Sequence, residues 1–163
     1  MDSPTMRLAS RDALTWAALL AGIERGWVTQ ENVAQVAVGW LSKHPDADMQ
    51  PVVRLASCER DDASDVRSWL EEANVAAGQE TTQEALERWR WAFLADLADN
   101  GCIDDEAKLQ RLQELHAEFG YPEDMAACSP YSVEPGLAKG DTGKSPLEAM
   151  REVVSQLERR ICG

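Results

Sequence analysis

The chain has 163 residues, room for one domain with a substantial core and too few for two comfortable ones. Its 29 acidic residues against 16 basic ones give a formal net charge of -13, which argues against nucleic-acid binding because phosphate contacts need clustered Lys and Arg. A basic protein partner fits that charge through long-range steering, and the competing reading is that the charge only keeps the chain soluble and monomeric.

In chain order, a helical pattern is expected from Ser10, where Trp16, Leu19, Leu20 and Ile23 recur at helical spacing and Gly26 ends the run. Thr29 is placed to cap a second helix with Val33, Val36, Ala37, Trp40 and Leu41 on its apolar face, stopped by Pro45. Asp48 and Pro51 open a shorter third helix carrying Val52, Val53, Leu55 and Ala56. Asp61, Asp62, Ser64 and Asp65 suit the start of a fourth, which carries Val66, Trp69, Leu70 and Ala73 as far as Gly78.

Thr81 and Glu84 form a capping box that begins a fifth helix with Leu86, Trp89, Phe93, Leu94 and Leu97, ending at Asn100 and Gly101. Asp104 starts a sixth, carrying Leu109, Leu112, Leu115, His116 and Phe119. Residues 121–144 are rich in Pro, Gly and Ser and predict a long loop. Ser145, Pro146 and Glu148 then cap a seventh helix with Leu147, Met150, Val153, Val154, Leu157 and Ile161 on its face. The expectation is an all-α fold, residues 1–163 as a single domain of about seven helices in stacked antiparallel pairs.

Two stretches imitate ligand loops. AKGDTGKS, residues 138–145, ends like a phosphate loop, but no buried strand precedes it and Pro146 has no N–H to offer a phosphate. DLADNGCIDDEA, residues 96–107, imitates a calcium loop but has Ala98 and Ala107 at the third and twelfth places, where ligands belong. Capping by Gly101 and Asp104 explains the same letters without a metal. His44 and His116 have no partner at metal-ligand spacing, and His116 falls on an apolar face as a core or boundary histidine. Cys58, Cys102, Cys128 and Cys162 are widely separated, which predicts reduced thiols and neither a zinc site nor a disulfide framework. No catalytic residue, cofactor or metal is assigned.

The N-terminal MDSPTMRLAS lacks the apolar core of a signal peptide, and no long apolar run follows, so a cytoplasmic protein without membrane contact is expected. In Arg88-Trp89-Arg90-Trp91 the two indoles point to different sides of one helix. Trp91 is therefore a candidate exposed anchor, with packing on another helix as the competing reading. Carboxylates crowd the fifth and sixth helices. Of these, Asp96, Asp99, Glu118, Glu123 and Asp124, together with Tyr121, are the candidate partner-binding residues. In EFGYPEDM, Gly120 turns the chain and Pro122 stops the helix from resuming, and Phe119 and Tyr121 are expected to pin the turn to the core, with direct partner contact by Tyr121 as the competing reading.

TWAALLAGIERGWVTQENVAQVA, LHAEFGYPEDM and KSPLEAM, in that order along most of the chain, resemble a bacterial family designated domain of unknown function 2247. The resemblance implies an immunity protein of a polymorphic toxin or contact-dependent inhibition system, which would bind and occlude a cognate toxin domain, and it brings no catalytic residues with it. A non-catalytic helical adaptor or scaffold in bacterial regulation is the alternative.

Overall fold

In the computed structural model, residues 3–58, 63–128 and 145–162 are described, and the regular structure among them is all helical. It comprises α1 (Ser3–Ser10), α2 (Trp16–Glu24), α3 (Gln30–Lys43), α4 (Gln50–Ala56), α5 (Ala63–Ala76), α6 (Thr82–Asp99), α7 (Asp105–Glu118), a 3-10 helix (Glu123–Cys128) and α8 (Pro146–Cys162). Contacts divide the chain into two compact units, Met1–Trp89 and Arg90–Gly163, with α6 running through the boundary.

Local chemistry fixes the helix starts. Thr15 accepts the Ala18 N–H at 3.1 Å, and Thr29 pairs reciprocally with Asn32. The boxes expected at Thr81 and Ser145 both form. The Thr81 amide donates to Glu84 at 2.8 Å and the Glu84 amide to Thr81 at 3.2 Å, and the same exchange links Ser145 with Glu148. Asp104 accepts the Ala107 N–H at 2.9 Å. Asp48 does not cap α4. Met49 is the residue that flanks that helix, and Asp48 accepts a bond from the Gln50 side chain at 3.0 Å.

The ends of α2, α5 and α7 share one hydrogen-bonded stop. Past α7, the Tyr121 N–H reaches back to the His116 carbonyl at 2.8 Å and the Gly120 N–H to Ala117 at 3.0 Å. Trp27 and Gly26, and Gln79 and Gly78, repeat the pattern. A fourth copy closes α1, where Ala13 donates to Leu8 and Asp12 to Ala9, with Asp12 at φ 52. The helix expected from Ser10 is therefore interrupted, and α2 begins only at Trp16. Asp at the left-handed position hid this stop, because Asp tolerates that conformation without announcing a turn as Gly does.

In the first unit α2 packs on α5, and α4 packs on α3 and α5. Trp89 is fully buried, its ring tilted against Trp27 at 5.3 Å, and its Nε1–H donates to the Ala18 carbonyl at 2.7 Å. Gly22 makes that approach possible: a Cβ there would lie 2.6 Å from Val28 and 2.7 Å from the Trp89 ring. Gly22→Ala is expected to destabilise by about 1–3 kcal/mol through overpacking, despite Ala being the better helix former. Urea denaturation checks this, and an unchanged midpoint would contradict the contact.

In the second unit the 3-10 helix and α7 pack on α8, burying Leu112, Leu115, Met125, Cys128, Met150, Val153 and Leu157. The loop expected over 121–144 is thus helical at its start. Met125 and Cys128, three apart, go into the core, and residues 129–144, including nearly all of the phosphate-loop imitation, lie outside the described residues. The start expected for the fourth helix at Asp61 and Asp62 also lies outside them.

Candidate functional site

The end of α7 presents Tyr121. Gly120 holds φ 75, which glycine adopts without steric cost, and Tyr121 follows at φ 58, where an ordinary side chain is strained. Tyr121 is 69% exposed, and its ring meets His116 edge-on at 5.1 Å. The expectation that it pins the turn to the core is corrected: Tyr121 is among the exposed large hydrophobic residues. Phe119 does pack, 6.2 Å from Phe93.

The turn is held instead by Asp124. Arg90, 6% exposed, donates to the Asp124 carboxylate at 2.7 Å, and Arg160 adds a second bond at 3.2 Å. Asp124 is thereby ion-paired within its own unit, with its side chain 29% exposed. Trp91 is corrected as well. It is 2% exposed, because α6 is buried at Trp89, Arg90, Trp91 and Ala92 in succession and has no solvent face there.

The remaining candidates stay accessible. Glu123 is exposed, Asp99 is exposed and Asp96 half-buried on the last turn of α6, and Glu118 is half-buried beside Arg111 at 3.7 Å. No basic residue occupies the last turn of α6, so Asp96 and Asp99 add charge to the negative end of the helix dipole. Glu118 ends α7, Tyr121 lies in the connection and Glu123 opens the 3-10 helix, whereas Asp96 and Asp99 stand on a different helix.

Among the described residues no group of three or more His, Cys, Asp or Glu side chains is placed to hold a metal ion. In the calcium-loop imitation, Asp104 caps α7 and Asn100 accepts the Cys102 N–H at 2.9 Å. Burial, with a smaller contribution from the Asp124 charge, pushes the Cys128 thiol up to about 11. A thiol raised in the folded state contributes stability below its unfolded value of about 8.5 and loses it as pH rises toward the folded value. Cys128 is expected to resist alkylation at pH 8 while exposed Cys102 reacts readily, and mass spectrometry of the modified peptides reads the difference.

The sequence profile of an uncharacterized protein family conserved in bacteria, DUF2247, matches residues 7–159. The chain belongs to the DUF2247 family. Comparison with curated proteins and with solved structures gives no match. For this DUF2247 chain no helix among the described residues is long and apolar enough to cross a membrane.

Sequence reading missed a groove in the first unit, of about 1020 Å³, lined by Trp16, Gly39, Trp40, Glu80, Glu84 and Arg88 among others. Its residues come from three separate stretches of chain. The one available signal was Gly39, an unexplained glycine inside a helix.

Proposed function

We propose that this DUF2247 protein is a cytoplasmic immunity protein that binds a basic toxin domain and covers its working surface. The observation that carries the reading is Tyr121, a large exposed aromatic held at a strained backbone position, with Glu118 and Glu123 on the helix ends that flank it. Strain of this kind concentrates at functional positions, and Tyr is a favoured interface anchor. The Asp124 and Met125 contacts fix the turn, so the backbone that presents the ring is ordered before binding. The carboxylates supply steering and the aromatic supplies slow release, which together suit occlusion.

Co-expression with the toxin domain encoded beside its gene tests this. Growth should be restored, and Tyr121→Gly should weaken binding by about ten-fold or more while leaving the fold at least as stable, since glycine relieves the left-handed strain. Continued killing in cells that hold the folded protein would overturn the reading.

A further inference from the structure

The groove in the first unit is built from unlike walls. Trp40 stacks on His44 with ring centroids 4.3 Å apart and meets Trp16 edge-on at 6.0 Å. Glu80 accepts the Thr15 hydroxyl and the Arg88 Nε–H, the latter at 2.5 Å, and the Asn74 side chain bonds both backbone groups of Glu80. Asp12 and Lys43 pair across 3.4 Å at its margin. Three carboxylates, Asp12, Glu80 and Glu84, thus face two cations, Lys43 and Arg88, and leave the groove net negative.

Gly39 lies in the middle of α3, where glycine is a poor helix former, and a Cβ at that position would meet nothing within 4 Å. At Gly22 a Cβ would collide with Val28 and Trp89, so the chain's own packing requires glycine there. No such requirement exists at 39. A bare helix backbone beside two indoles is a seat for something that approaches closely from outside.

We infer that this groove binds a short apolar and cationic segment of a protein partner, an apolar side chain resting on Gly39 beside Trp16 and Trp40 while a Lys or Arg meets Glu84. Charge complementarity selects this occupant, because Arg88 and Lys43 are ion-paired with Glu80 and Asp12, which leaves Glu84 as the groove carboxylate that no lining cation offsets. The groove lies wholly within the first unit, and its occupancy does not depend on the immunity reading.

The test titrates the full chain, followed by the indole N–H resonances of Trp16 and Trp40, with a blocked hexapeptide alternating Lys and Leu. Alternating Glu-Leu and Lys-Ser peptides serve as controls. The Lys-Leu peptide should shift both indoles, and the controls should not. Gly39→Leu fills the seat with a better helix former and should weaken binding by about ten-fold or more with no loss of thermal stability. Glu84→Gln keeps the box with Thr81, since Gln serves there as Glu does, and should weaken binding by about three-fold at low salt. Absence of binding by the Lys-Leu peptide, equal binding by the Glu-Leu peptide, or undiminished binding by Gly39→Leu would each overturn the inference.

Discussion

Replacing Asp124 with Ala is expected to cost roughly 3 kcal/mol, the lower end of the range for breaking a buried ion pair, because Asp124 itself keeps some contact with water. The guanidinium of Arg90 is nearly inaccessible and would lose its carboxylate partner at 2.7 Å. The other acceptor atom, Asp124 Oδ1, is buried with no hydrogen-bond partner among the described residues, so the pair is not ideally satisfied even in the native state. This predicts that Arg90→Met with Asp124→Leu will recover most of the loss, since two apolar groups replace two desolvated charges. Arg160→Ala should cost less than about 1 kcal/mol, because its side chain is half exposed. Urea denaturation of the four proteins decides the matter. An Asp124→Ala variant as stable as the parent, with weaker partner binding, would assign Asp124 the surface role first expected of it.

Trp89→Ala is expected to cost about 3–5 kcal/mol, the range for deleting a large buried aromatic. The informative comparison is between Trp89→Phe and Trp91→Phe. Trp89 donates its indole N–H to Ala18, so Phe there forfeits a hydrogen bond as well as volume. Trp91 Nε1 is buried and finds no acceptor among the described residues, so Phe removes a donor whose burial was uncompensated. Trp91→Phe should therefore be the milder change by about 1 kcal/mol. Equal losses would mean that the Ala18 bond contributes nothing.

The helices were legible where their ends are written in local chemistry. Thr81 with Glu84, Ser145 with Glu148, and Gly26, Gly78 and Gly120 are short-range signals, and each marks a boundary the structure contains. Two elements escaped because their signals are weaker. α1 ends on Asp12, not Gly, and the 3-10 helix is a single short segment embedded in sequence that reads as loop. The candidate site was legible only in part. Spacing reveals neither the left-handed backbone of Tyr121 nor its exposure, and the pairing of Asp124 depends on Arg90, more than thirty residues away. The burial of Trp91 had a related cause. Helical periodicity assigns faces by assuming that one side meets solvent, and α6 violates that assumption along its middle.

Paired start and stop signals confine α2 and α7 from both sides, so an added residue in the connector before either has nowhere to migrate. It must bulge out locally, without sliding a neighbouring helix out of register. The connector after α7 is the exception. There the backbone geometry at Gly120 and Tyr121 is shared between the stop of one element and the aim of an aromatic ring, so even one inserted residue would redirect that ring while leaving every helix intact.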